Sequence, residues 1–251
     1  MRMKRKCFKL ALSAILLITL MCVPATAATQ SITEIKTNAN GETYGSILAD
    51  GQAPDLVAAV ATNGKEGYVR YSDLEGDLPT CPEEAVSMQK IKKNRVIPVY
   101  EKDGAVRIGE FVVHSPSSSQ DLPATTRATN AGAQSTGQII LFGGREYLNQ
   151  ATVTLFKSSG IASGKGEVSI NKGSSVKAGY IGVKAYLVKS TGSIVATTGP
   201  HYNDSDGCLG LIITADYNTS KGTYYAWCKA YLWDGLQYHT YNSFKTPKQS
   251  F

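Results

Sequence analysis

Residues 222–233 read Gly222-Thr223-Tyr224-Tyr225-Ala226-Trp227-Cys228-Lys229-Ala230-Tyr231-Leu232-Trp233, and Asp234-Gly235-Leu236 leads from them into a second run, 237–244. Large rings at 225, 227, 231 and 233 alternate with Ala226, Cys228 and Ala230, the period of two that a β-strand imposes on its side chains. Asp234-Gly235 predicts a two-residue hairpin turn, which sets Trp233 opposite Leu236, Tyr231 opposite Tyr238 and Trp227 opposite Asn242. Upstream, turn formers fill Asn218 to Gly222. A hairpin symmetric about Asn218 brings Cys208 directly opposite Cys228. Opposed residues of an antiparallel pair have Cα atoms about 4.5 or 5.5 Å apart, within reach of a bridge, so the register predicts a Cys208–Cys228 disulfide.

The same register sorts the side chains. One face carries Leu209, Leu211, Ile213, Tyr225, Trp227, Tyr231, Trp233, Leu236 and Tyr238. Such a face has two readings: an aromatic platform for sugar rings, with Tyr225, Trp227, Tyr231, Trp233 and Tyr238 as ligand contacts, or the core of a folded sheet, since rings bury large areas. Lys229, Thr240 and Asn242 share that face and suit a fully buried core poorly. From Gln138 onward every candidate element is a strand, with turn signals every 8 to 12 residues or so. The segment 138–251 is expected to be an antiparallel β-sandwich. Within it, Gly164-Lys165-Gly166 lacks the rest of a phosphate loop and reads as a turn.

Upstream the texture changes. Residues 115–137 hold Ser115-Pro116-Ser117-Ser118-Ser119-Gln120 and Thr125-Thr126-Arg127-Ala128-Thr129-Asn130, with few large apolar residues to offset ordering entropy, and read as a Ser/Thr-rich linker. Before it, Leu56–Val60 and Tyr68–Tyr71 flank the turn Asn63-Gly64. Pro82, Glu83 and Glu84 open a helix, with proline where no amide hydrogen is needed and acids at the positive end. Ala85, Met88 and Ile91 share one face of that helix. A second hairpin runs from Val96 to Tyr100, through Asp103-Gly104, to Val106–Val113. Residues 28–114 are thus expected to be a small α+β module.

The first 27 residues have the pattern of a signal peptide. Arg2, Lys4, Arg5, Lys6 and Lys9 precede an apolar run from Leu10 to Val23, and small Ala25 and Ala27 precede the expected cut. The run is short of the roughly 20 residues that span a bilayer. The chain is expected to be secreted, with no membrane segment after cleavage. Five of the 26 basic residues leave with that segment, so 21 face 20 acidic ones in a nearly neutral remainder. A nucleic-acid partner then lacks an electrostatic basis. Three of the five cysteines remain, Cys81, Cys208 and Cys228, in a compartment that permits disulfides.

The chemistry-bearing motifs are absent from the sequence. His114, His201 and His239 form no zinc-ligand pair, and no nucleophile elbow or dinucleotide fingerprint occurs. Asp204-Ser205-Asp206-Gly207 matches only the middle of a calcium loop and reads as an ordinary loop. Catalytic residues, cofactor and metal are expected to be none.

Gly67-Tyr68-Val69-Arg70-Tyr71-Ser72-Asp73-Leu74, with Pro82-Glu83-Glu84-Ala85 and Ile97-Pro98-Val99-Tyr100, Gly104 and Ile108-Gly109-Glu110-Phe111, resembles a segment of uncharacterised secreted proteins of Gram-positive Bacillota, over residues 41–113. The tail, with Gly222-Thr223-Tyr224-Tyr225 and Trp233-Asp234-Gly235, is loosely similar to small exported β-sandwiches of the same bacteria. The resemblance implies the compartment and brings no catalytic residues. The expectation is an exported, non-catalytic binding module for cell-wall glycan or an extracellular protein. The alternatives are a secreted effector or toxin-like protein and an unrecognised hydrolase, the last requiring His201, Asp204 and a cysteine or serine within hydrogen-bond reach. Oligomeric state is not readable.

Overall fold

The computed structural model describes residues 35–48, 50–91, 93–115 and 131–251. The expected signal peptide and most of the expected linker lie outside these residues. The fold is predominantly β. Among the described residues, no helix is long and apolar enough to cross a membrane.

Two strands carry the architecture. β11 (Ile181–Lys189) and β15 (Thr223–Trp233) pair antiparallel, with Ala185 opposite Cys228 and Tyr186 opposite Trp227. Both are buried along nearly their whole length, so each face of the pair is covered. On one face, Val183, Ala185, Leu187, Ala226, Cys228 and Ala230 pack against Ala151, Val153, Leu155, Ala162 and Val168 of a second sheet. These last come from β9 (Arg145–Phe156) and β10 (Ile161–Lys172). The second sheet runs β14 (Gly210–Asn218), β10, β9, β7 (Ala131–Gln134), with β8 (Gln138–Phe142) also on β9. Small residues let the two layers approach. A Cβ added to Gly166 would lie 2.6 Å from that of Cys228, and one on Gly164 would lie 3.1 Å from that of Leu187. Gly164-Lys165-Gly166 is therefore not a turn but the middle of β10, bare where the neighbouring sheet passes closest.

The other face of β11 and β15 is covered by the N-terminal segment. There β3 (Leu56–Val60), β4 (Glu66–Arg70), β5 (Arg95–Tyr100) and β6 (Arg107–His114) form an antiparallel meander. Its ends close on each other, the Thr62 amide donating to the Glu110 carbonyl at 2.8 Å. β12 (Ile194–Thr198) pairs with β11 on one side. It also runs parallel to both β3, at Ile194–Ala59, and β6, at Thr197–Val113. The two expected modules thus share one sheet, and Thr33–Phe251 forms one compact unit. Between β4 and β5 stand α1 (Tyr71–Glu75) and α2 (Pro82–Gln89). The expected helix start holds: Pro82 is the first helical residue, and the Glu84 carboxylate accepts from the Thr80 amide and hydroxyl. Ile91 lies beyond the helix end and is 72% exposed, so it does not share the buried face of Ala85.

Three further expectations change. Residues 131–134, assigned to the linker, form β7 on β9. β14 does not pair with β15: it crosses to the second sheet and pairs with β10, Leu211 opposite Val168. Cys208 and Cys228 are consequently not cross-strand neighbours, and the Cys208–Cys228 disulfide is not formed; both thiols are free. Finally, β16 (Tyr238–Asn242) pairs with β15 two residues out of the expected register, Trp233 opposite Tyr238 and Tyr231 opposite Thr240. The Asp234 carboxylate accepts from the amides of Leu236 and Gln237, at 2.6 and 2.8 Å, and so builds a four-residue loop in place of the two-residue turn. An even shift preserves the faces.

Candidate functional site

The expected ligand face is largely an interior. Tyr225, Trp227 and Tyr231 are buried, Trp227 stacked on Tyr186 at 3.9 Å between ring centroids. Trp233 and Tyr238 lie half-buried at the far end of β15, their rings 5.0 Å apart. The Tyr238 hydroxyl donates to the Gly179 carbonyl at 2.6 Å. Of the two readings, the core reading describes the first three rings, and no open platform joins all five. Cys228 sits in the inter-sheet core, its Sγ 3.2 Å from Asn149 Oδ1, and burial pushes its thiol up to about 11. The Cys208 Sγ lies 3.3 Å from the Gly210 carbonyl.

Where the aromatic face meets α1, a charged group is buried instead. The last residue of that helix, Glu75, is 8% exposed. Its Oε1 accepts from Lys184 Nζ at 3.0 Å and Tyr186 OH at 2.6 Å, and its Oε2 from Lys229 Nζ at 2.9 Å and Tyr231 OH at 3.3 Å. Lys184, fully buried, also donates to the Leu74 carbonyl at 2.8 Å, and Lys229 to Tyr71 OH at 3.0 Å. Burial pushes the Glu75 carboxyl up, but Lys184 and Lys229 together outweigh it and hold it at about 2. Burial lowers Lys184 to about 8 despite Glu75, whereas Glu75 and Tyr71 overcome burial at Lys229 and raise it. Two lysines thus share one carboxylate in a place with little water.

Glu75 also lines a cleft of about 570 Å3. One wall is the end of α2 and the segment into β5: Met88, Gln89, Ile91, Lys93, Asn94, Arg95 and Val96. The other is the end of β6, His114 and Ser115, with Gly199 and Pro200 after β12. Tyr202 lines it from β13 (His201–Tyr202), which pairs with β11 at Gly182. Gly182 is bare for a reason: a Cβ there would lie 2.6 Å from the Tyr202 ring. The walls are cross-tied. Gln89 Oε1 meets His201 Nδ1 at 2.8 Å, the Gly199 amide donates to the His114 carbonyl at 2.8 Å, and the Ser115 amide donates to Asn94 Oδ1 at 2.8 Å. Arg95 donates to the carbonyls of Asp73, Leu74 and Glu75, at 2.8 to 3.4 Å, closing the end of α1.

Two hydroxyls in this cleft stand out. Tyr202 OH and Ser115 Oγ are buried and have no hydrogen-bond partner among the described residues. Burial, with Tyr238 and Glu75 nearby, raises the Tyr202 phenol far above its ordinary value, so it remains a donor. A buried polar atom left unpaired costs about 1–3 kcal/mol.

His201, named in the hydrolase alternative, faces Gln89 through Nδ1. Asp206, from the calcium-like loop, accepts the Ala178 amide at 2.8 Å and so folds its own loop. Sequence reasoning missed Glu75, Arg95, Ser115, Lys184 and Tyr202 as site residues. One signal was available: Lys184 interrupts the apolar run Ile181–Val188, and a charge inside a doubly covered strand requires a buried partner. Comparison with family models, curated proteins and solved structures returns no match.

Proposed function

We propose that the chain is exported and works outside the cell as a non-catalytic binding protein, with a cell-wall glycan held in the cleft over Tyr202. In fold terms, we read 28–114 as a small α+β module seated on an antiparallel β-sandwich of 138–251. The observation that carries the binding reading is the pair of buried, unpartnered hydroxyls on Tyr202 and Ser115 in a cleft of ligand size. Met88, Val96 and Pro200 add apolar surface beside them, the mixture that sugar rings with polar edges require. The basic and apolar N-terminus supports export. A second reading, an extracellular protein as ligand, is favoured by Ile91 and Val96, 72% and 57% exposed on the rim.

The test is co-sedimentation of the mature protein with insoluble cell wall, beside Tyr202→Phe, which removes only the hydroxyl. The protein is expected to pellet with the wall, and the variant to bind about tenfold more weakly while folding normally. A folded protein that stays in the supernatant contradicts the proposal, as does a variant that binds like the parent.

A further inference from the structure

We infer that copies of this chain join edge to edge, the free side of β14 in one copy pairing antiparallel with the free side of β8 in the next. None of the residues lining the cleft lies on either strand, so the inference goes beyond the glycan reading and does not depend on it.

The second sheet ends in strands whose outer backbone groups have no partner among the described residues. β14 pairs only with β10, and β8 only with β9. The Ile170 amide donates to the carbonyl of Leu209, directly opposite. The odd-numbered residues of β14 therefore bond to β10, and Ile212, Thr214 and Asp216 aim N–H and C=O away from it. On the other side, Gly143-Gly144, both at positive φ, turn β8 into β9, with Phe142 and Arg145 as the bonded pair that closes the hairpin. Ile140 then bonds inward as well, and Ile139 and Leu141 aim their backbone groups outward.

These edges lack the devices that blunt an exposed strand: lysine, proline or very short length. Gln138-Ile139-Ile140-Leu141-Phe142 and Leu209-Gly210-Leu211-Ile212-Ile213-Thr214 contain no charge and no proline. Leu141 is 79% exposed and Ile212 42%. The first sheet, by contrast, begins with β1 (Lys36–Thr37), two residues with a lysine at the edge.

The occupant is a second copy because each edge supplies what the other lacks. Direction alternates from β14 through β10 and β9 to β8, so β8 of a second copy laid against β14 continues the antiparallel order. In one register Leu141 of the second copy stands opposite Ile212, and its Ile139 opposite Thr214. Both pairs then bring outward N–H and C=O groups together, and each exchanges both bonds. The side chains agree. Ile139 lies beside Leu148 and Ile212 beside Glu167, on the outer face, while Ile140 and Ile213 point into the core. Leu141 of one copy thus covers Ile212 of the other. The two edges are unlike, so the contact repeats into a row and does not close as a two-fold dimer.

The experiment is sedimentation velocity of the mature protein beside Leu141→Lys and Ile212→Lys, alone and mixed, with folding checked by circular dichroism. The average mass of the parent is expected to rise about twofold or more through the micromolar range. Each variant has lost one edge and is expected to stay a monomer. An equal mixture is expected to form dimers and nothing larger, because one variant keeps β14 and the other keeps β8. A parent that remains monomeric overturns the inference. So does a Leu141→Lys protein that dimerises alone, which would mean that β14 pairs with itself, and so does association that both variants leave unchanged.

Discussion

At the scale of single residues, the buried group around Glu75 explains both the stability of the N-terminal contact and the shape of the cleft floor. A carboxylate shared by two lysines is not interchangeable with either of them. Removing it leaves two ammonium groups facing each other out of water, whereas removing Lys184 leaves Glu75 one partner lysine and two tyrosine hydroxyls. Glu75→Gln is expected to destabilise by about 3–5 kcal/mol, and Lys184→Met by distinctly less. Acid acts on the same carboxylate. Its folded pKa is about 2, below the ordinary 4.5. The stabilisation is therefore complete above about pH 5 and is lost as pH falls toward 2, an effect of about 3 kcal/mol. Urea unfolding from pH 7 to pH 2 should show that loss in the parent and a flatter profile in Glu75→Gln. A parent and variant with parallel profiles would contradict the assignment. Lys184 was legible as an anomaly in its strand, and Lys229 as a poor fit for a core; their partner was not, because nothing in Asp73-Leu74-Glu75-Gly76 marks one acid as buried.

At the scale of elements, local signals were read well and long-range pairing was not. The hairpins β3–β4 and β5–β6, the proline-initiated start of α2 and the strands of the C-terminal half follow from periodicity and turn residues. The connection after Asn218 has the same residue types as a hairpin turn, yet it carries the chain from one sheet to the other. A hairpin and a sheet-crossing turn draw on the same residues, Gly and Asn among them; which sheet has a free edge decides between them, and sequence does not record that. The disulfide expectation failed with that hairpin. Thiol labelling makes the difference measurable. Cys228, fully buried and with its thiol raised to about 11, is expected to react only on unfolding, while Cys81 and Cys208, both partly exposed, react in the native protein. An oxidised, unfolded protein with Cys208 and Cys228 both blocked would contradict the structure. Gly164 and Gly166 tell a similar story: glycine pairs mark turns and close sheet contacts alike, and only the facing Cys228 and Leu187 identify the second.

At the scale of the whole molecule, the aromatic face shows why composition alone left two readings open. The same alternation of rings serves an open platform or a buried layer, and the difference lies in what covers it. Here the cover is the N-terminal meander, tied to the C-terminal sheet through β12. Burying that face moves the accessible site to the edge of the cover, where α1, α2, β5, β6 and the segment after β12 meet. Of those elements α2, β5 and β6 were foreseeable and α1 was not, and their meeting point depends on parallel pairings between segments far apart in the chain. We propose that ligand binds at this meeting point and not on the rings of β15. Hydrogen–deuterium exchange of the mature protein with and without solubilised wall glycan distinguishes the two places. Slowed exchange is expected over 88–97, 113–115 and 199–202, with 223–238 unchanged. Protection confined to 233–238, around Trp233 and Tyr238, would rule out the cleft and return the site to the aromatic strand.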